Sequence, residues 1–119
     1  MKKETAKGGL NMTNKIYTFD EIKAMLADVA PEYDVERIYL FGSYARGEAT
    51  EESDLDLYVE KFEFKPFHSI FNFMGRMEEL FNKNIDVVSS GAERFAKDSF
   101  DRSLFENIRK ERLICYERK

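Results

Sequence analysis

The stretch from Leu40 to Leu57 constrains the fold more than any other part of the chain. One apolar run ends in it at a glycine, and a second run begins in it with two aspartates. The first run, Val35 to Phe41, stops at Gly42-Ser43, and the short segment that follows ends at Gly47. This order predicts a strand, a tight turn and one helical turn. Gly42 lets the backbone approach a ligand closely, and the free N–H groups of the short helix favour an anion. The turn is therefore a candidate phosphate site.

Two aspartates open the second strand-like run, Asp54 to Glu60. Residues two apart in a strand face the same side, so Asp54 and Asp56 lie together. The alternate apolar residues, Leu55, Leu57 and Val59, then face a core. Neighbouring carboxylates raise each other's pKa unless a cation lies between them. Mg²⁺ binds through one or two carboxylates and completes its shell with water and phosphate oxygens. The pattern predicts Mg²⁺ here, and antiparallel pairing of the two strands would set Ser43 beside Asp54.

A third aspartate, Asp86, interrupts the short apolar run from Asn84 to Ser89. The residues between the second and third runs predict an amphipathic helix from Pro66 to Asn82. Its expected apolar stripe consists of Phe67, Ile70, Phe71, Met74, Met77, Leu80 and Phe81. Strands joined by a helical crossover normally pair in parallel, which would bring Asp86 level with Asp54 and Asp56. Spacing alone leaves a surface-facing Asp86 equally open.

The aromatic residues before and within this helix leave a second question open. Phe62, Phe64 and Phe73 fit the apolar stripe less well than the others. The stretch 62–73 is therefore either a patch that faces a partner or a part of the core, with core packing favoured.

One arrangement of residues resembles the signature of the minimal nucleotidyltransferases, small relatives of the DNA polymerase beta type superfamily. It consists of Gly42-Ser43, Arg46-Gly47, five further residues and Ser53-Asp54-Leu55-Asp56. The resemblance extends more loosely over Val35 to Tyr116. It implies an α+β nucleotidyltransferase fold, with a mixed sheet of three to four strands and helices packed on it. It also favours a site position for Asp86, where the family carries a third carboxylate.

The resemblance further implies a reaction. Members of the family transfer a nucleoside monophosphate, usually AMP from ATP, and many are antitoxins encoded beside a HEPN-domain toxin. Some of them silence the toxin by adding AMP to one of its tyrosines. The implied catalytic and metal-binding residues are Asp54, Asp56 and Asp86. The implied nucleotide-binding residues are Gly42, Ser43 and Arg46, although Arg46 is also placed to form a structural ion pair with Glu48 or Glu51.

The length of the chain bears on the acceptor. Larger relatives carry an additional helical domain that holds the acceptor, and 119 residues leave no room for one beside the nucleotidyltransferase domain. A protein acceptor, a HEPN-type toxin, fits best. Two alternatives stay open: a homodimer that modifies a small hydroxylated molecule such as an aminoglycoside, and a non-catalytic antitoxin that neutralises a toxin by contact.

Composition excludes several classes of protein. A chain that is 43% hydrophobic and 35% charged is globular. The net charge is −4, and the excess of acidic residues lies before residue 94. An acidic body argues against an extended nucleic-acid surface. A single cysteine, Cys115, excludes an internal disulfide. The absence of a long apolar run argues against a membrane segment, so a cytoplasmic protein is expected.

The ends of the chain are less informative. Residues 1–14 are expected to be a disordered tail, and residues 15–119 to form the nucleotidyltransferase domain. A packing helix is predicted from Thr18 to Ala30, opened by a capping box of Thr18 and Glu21. A second helix is predicted from Phe100 to Lys110, and Leu113 to Tyr116 is either a terminal strand or a fraying end. His68 and Cys115 are expected to have no catalytic part.

Overall fold

The computed structural model describes residues 15–61, 69–95 and 99–118. The described strands are β1 (Arg37–Phe41), β2 (Leu55–Glu60), β3 (Ile85–Ser89) and β4 (Leu113–Glu117). The described α-helices are α1 (Phe19–Val29), α2 (Ser43–Arg46), α3 (Ile70–Phe81) and α4 (Ser99–Glu111). Two 3-10 helices, Ala30–Glu32 and Ser90–Phe95, follow α1 and β3.

The strands form one mixed sheet in the order β3-β2-β1-β4. β1 pairs with both β2 and β4 in antiparallel fashion, whereas β2 and β3 run parallel. The predicted α+β fold with a mixed sheet is confirmed. The end of the chain is a strand rather than a fraying end, because β1 offers it a free edge on which Leu113 lies opposite Leu40. The first strand begins at Arg37, within the apolar run that was predicted from Val35 to Phe41.

The two faces of the sheet are covered by different helices. Side chains alternate along each strand, and one set packs in the main core beneath α1 and α3. This core includes Ile22, Leu26, Ile38, Leu40, Leu55, Leu57, Val59, Phe73, Met77 and Phe81. The other set packs against α4 in a smaller cluster made of Phe41, Tyr58, Phe105 and Ile108. Asp56 lies two residues from Tyr58 on β2, so the carboxylates of the sheet belong to the α4 face.

Helix α1 begins as predicted. The Thr18 hydroxyl accepts a hydrogen bond from the Glu21 N–H at 3.1 Å, and the Glu21 carboxylate accepts one from the Thr18 N–H at 2.8 Å. The capping box is therefore present and confirmed. The helix presents Ile22, Leu26 and Val29 to the core.

Helix α3 corrects the predicted apolar stripe. Phe71, a predicted member of the stripe, is 74% exposed, whereas Phe73, which fits the predicted stripe less well, is fully buried. The reason is that the buried side chains follow a spacing of four through Phe73, Met77 and Phe81, and Phe71 lies about 200° around the helix from Phe73. Of the stretch 62–73, Phe73 is core. Helix α3 begins at Ile70, four residues later than predicted, because the Ser69 side chain caps it by accepting from the Asn72 N–H. The predictions for the side chains of Pro66, His68, Phe62, Phe64 and Phe67 lie outside the described residues.

Cys115 is a buried residue of β4, and burial raises the pKa of its thiol to about 12. Its Sγ donates to the Ile38 carbonyl oxygen at 3.3 Å, which agrees with a packing role. None of the described helices is long and apolar enough to cross a bilayer. The prediction of a disordered tail at residues 1–14 lies outside the described residues.

Candidate active site

The turn between β1 and α2 depends on Gly42. Its φ of +75° and ψ of −154° are strained for a residue with a side chain. A Cβ built on Gly42 would overlap Oδ2 of Asp56 and would lie 3.0 Å from its Cγ. The missing side chain thus lets the Asp56 carboxylate lie directly against the backbone of the turn. This contact joins the predicted phosphate turn to the predicted carboxylates, and Ser43 follows as the first residue of α2.

The carboxylates of Asp56 and Asp86 meet on adjacent strands. The parallel register of β2 and β3 places Asp56 directly beside Asp86, as the crossover argument predicts. Asp56 lies opposite Phe41 in the antiparallel pair, one residue from Gly42. Asp54 precedes β2 and is exposed. The structure therefore brings Asp56, Asp86 and the glycine turn together, with Asp54 at the rim.

Electrostatics sets Asp56 apart from ordinary carboxylates. Burial raises the pKa of Asp56 to about 7, with further contributions from the negative charge of Asp86, a hydrogen bond with Asp86 and the charge of Asp54. Arg46 acts in the opposite direction. Near neutral pH this site therefore retains a proton on Asp56 or attracts a cation in its place.

The donor set fits an open metal site better than a closed one. Across residues 15–61, 69–95 and 99–118, no three His, Cys, Asp or Glu side chains converge closely enough to form a complete set of ligands. Asp56 and Asp86 do meet, and Mg²⁺ binds through one or two carboxylates and takes its other ligands from water and substrate phosphates. Burial is the main cause of the raised pKa of Asp56, and such an ion would relieve the repulsion from Asp86 that adds to it.

Arg46 and the turn share a partner that sequence reasoning missed, Glu111. Its Oε2 accepts a hydrogen bond from the Gly42 N–H at 2.7 Å, and both of its oxygens accept from Nη1 of Arg46, at 3.1 and 3.3 Å. Arg46 Nε also donates to Glu48 at 2.9 Å. The structural pair with Glu48 that was left open is therefore present. Glu111 carries no local signal, because it reaches the turn only through the pairing of β4 with β1.

A second missed residue, Lys83, supports the segment that carries Asp54. Its side chain is buried, with 3% of the residue exposed, and its Nζ donates to the Glu51 carbonyl oxygen at 3.1 Å. Within the same segment the Ser53 hydroxyl accepts from the Thr50 N–H at 2.8 Å. Lys83 thus ties the loop before β2 to the residues just before β3.

We expect Lys83→Met to destabilise the protein by about 1–3 kcal/mol, because it removes the charge-assisted hydrogen bond from the buried Lys83 ammonium group to the Glu51 carbonyl oxygen. Methionine nearly matches the length of the lysine chain, so the loss is polar rather than steric. Urea unfolding measures the effect. Lys110→Met, at an exposed position of α4, is the control and should stay within about 0.5 kcal/mol of wild type. Equal stability of the two variants would mean that the Lys83 contact does not hold the loop.

Comparisons with known proteins agree with this geometry. Residues 21–118 match the family model described as "Polymerase beta, Nucleotidyltransferase". MJ1215 of Methanocaldococcus jannaschii, which carries the provisional name protein adenylyltransferase, is 33% identical over 85 residues that cover 68% of this chain and 99% of the relative. Protein adenylyltransferase MntA of Thermococcus cleftensis is 32% identical over 75 residues, covering 60% of this chain and 76% of the relative.

The fold also has a solved counterpart. A crystal structure of a toxin-antitoxin with AMP-PNP superposes with a TM-score of 0.59 at 20% identity, covering 87% of this chain and 76% of that one. At that identity the likeness supports the fold alone.

Proposed function

We propose that this chain, which belongs to the polymerase beta nucleotidyltransferase family, uses Mg²⁺ to transfer AMP from ATP to a hydroxyl group of a protein partner. The proposed partner is the HEPN-type toxin of a toxin–antitoxin pair in which this chain is the antitoxin. The observation that carries the proposal is the contact of Asp56 with both Asp86 and the backbone of Gly42. It sets acidic ligands against a turn that can hold phosphate.

The proposed roles follow from these positions. Asp54 and Asp56 would hold the metal and the triphosphate, and Asp86 would hold the catalytic metal and orient or deprotonate the attacking hydroxyl. Gly42 and Ser43 would bind the β and γ phosphates, with Arg46 as a neighbouring cation. When bound, Mg²⁺ would neutralise the charge that develops on the attacking and leaving oxygens. The hydroxyl oxygen would attack the α-phosphorus, and the bond to pyrophosphate would break.

Two further facts support a protein acceptor. The relatives carry the name protein adenylyltransferase, and one structural neighbour is a toxin-antitoxin determined with AMP-PNP, an ATP analogue. The family match spans residues 21–118, almost all of the described fold, so the matched region itself contains no separate acceptor domain. An acceptor held by a partner surface is the arrangement that this geometry favours.

The test is transfer of label from ATP. The pure protein is incubated with Mg²⁺ and ATP labelled at the α-phosphate, together with the product of the neighbouring gene or a lysate. We expect label on one protein, and none with an Asp54→Asn, Asp56→Asn double variant. Asp28→Asn, an exposed change on α1, is the matched control and should label normally. Label from ATP on a small molecule instead, or protection of cells by the double variant, would contradict the proposal.

A further inference from the structure

We infer that Glu111 is an internal competitor for the triphosphate: its carboxylate occupies the anion position of the Gly42 turn and has to leave Gly42 and Arg46 when a phosphate chain binds. This inference rests on the proposed nucleotide site and concerns the regulation of its affinity. The competing ligand is a phosphoanhydride anion, such as pyrophosphate or the β and γ phosphates of ATP.

The contacts of Glu111 are those that a bound phosphate would make. One backbone N–H and one guanidinium donate to its carboxylate over distances of 2.7 to 3.3 Å. Carboxylates and phosphates both accept charge-assisted hydrogen bonds of this kind from arginine and backbone N–H groups. The same donors cannot serve both anions in full, so Glu111 and the phosphate chain compete for them.

The backbone around Glu111 is held on both sides. The Arg112 N–H donates to the Ile108 carbonyl oxygen at 2.9 Å and closes α4. The Arg112 guanidinium lies 4.2 Å from the centre of the Tyr39 ring, and Leu113 then pairs with Leu40 in the sheet. Glu111 therefore reaches the turn from an ordered position, and its carboxylate can leave by rotation of the side chain alone.

The exposure of the two side chains is consistent with exchange. The Glu111 side chain is 22% exposed and that of Arg46 is 46% exposed. An incoming anion can reach Arg46 before the Glu111 carboxylate has left. Glu48 stays bonded to Nε of Arg46, so the guanidinium remains oriented while its Nη1 changes partner.

The test compares the affinities of charge-neutral variants. Calorimetric titration with pyrophosphate and with ATP, each in Mg²⁺, is carried out on wild type, Glu111→Gln and Glu48→Gln. We expect Glu111→Gln to bind both ligands about tenfold or more tightly, because glutamine keeps the shape but removes the competing charge. Glu48→Gln removes a charge from the same arginine without vacating Gly42, and its affinity should change by less than about threefold.

Several outcomes decide the question. Unchanged or weaker binding by Glu111→Gln would overturn the inference, and so would equal gains in the two variants, which would show a general charge effect. Binding by neither wild type nor Glu111→Gln would overturn both the inference and the nucleotide site. A tenfold gain in binding without any label transfer would support the competitor while contradicting the proposed reaction. If Glu111→Gln does not fold, Glu111→Ala, which also removes the competing carboxylate, takes its place with the same expected gain.

Discussion

Replacing Asp56 with asparagine is expected to abolish nucleotidyl transfer and, in metal-free solution near pH 8, to make the protein more stable. The proposed role of Asp56 as a metal ligand is worth several kcal/mol in the transition state, so transfer should fall by about a thousandfold or more. The gain in stability has a separate cause. Asp56 lies beside Asp86 in the register of the sheet, and its carboxylate is half-buried.

The sign of the pH dependence follows from the raised pKa of Asp56, about 7 in the folded protein against 3.8 for an unperturbed aspartate. Between about pH 4 and pH 7 the unfolded chain releases the proton while the folded chain retains it, so stability falls as pH rises. Below this window both states are protonated and the penalty is absent. Above it the penalty is complete, about 1–2 kcal/mol once partial exposure is allowed for, or about 4–8 °C in Tm.

Thermal unfolding in EDTA, at pH 4 and at pH 8, measures this effect. Asp56→Asn should match wild type at pH 4 and unfold at a higher temperature at pH 8. Asp54→Asn removes an exposed carboxylate from the same site and should give a smaller gain. A lower Tm for Asp56→Asn at pH 8, or a wild-type stability that does not fall across the window, would contradict the account.

Gly42→Ala is expected to cost about 2–4 kcal/mol of stability and to remove ATP binding. Two effects add at this position. The φ of +75° is unfavourable for alanine, and the new Cβ would overlap the Asp56 carboxylate. Relief of the overlap moves Asp56 away from the turn, which separates the proposed metal ligand from the proposed phosphate turn. Urea unfolding and ATP titration measure the two losses.

The chain offers two matched controls for that experiment. Gly47 has almost the same φ, +76°, but a Cβ there would meet no atom within 4 Å, so Gly47→Ala reports backbone strain alone. Gly75, inside α3, has neither a positive φ nor a contact, and Gly75→Ala should stabilise the protein by about 0.5–1 kcal/mol. If Gly42→Ala costs no more than Gly47→Ala, the overlap with Asp56 is not a significant constraint.

The parts of the site that could be predicted from the sequence are those set by local periodicity. Period-two spacing predicted a strand that starts with Asp54 and Asp56, and the helical crossover predicted that Asp86 lies level with them. In the structure β2 begins at Leu55 and Asp86 pairs with Asp56. These positions follow from neighbouring residues and one rule of connection. The identity of the family followed from the same short stretch, since the motif is contiguous from Gly42 to Asp56.

Other features could not be predicted because they depend on contacts across the fold. Glu111 approaches Gly42 only because β4 returns beside β1, and Lys83 is buried only because the loop before β2 covers it. The wrong prediction that Phe71 rather than Phe73 lies in the core has a similar origin. Both choices give an apolar stripe on α3, and packing against the sheet selects Phe73.

The parallel pairing of β2 with β3 also bears on the order in which the strands pair during folding. Parallel strands cannot be closed by a short turn, and the crossover from β2 to β3 spans residues 61–84. Residues 42–54 connect β1 to β2, so the loop that closes this pair is shorter and we expect it to form first. Asp56 and Asp86 repel each other only once that later pairing forms. We therefore expect their repulsion to destabilise the native state and to speed unfolding, with little effect on the rate of folding. A chain of this topology can carry two mutually repelling carboxylates without slowing its own folding.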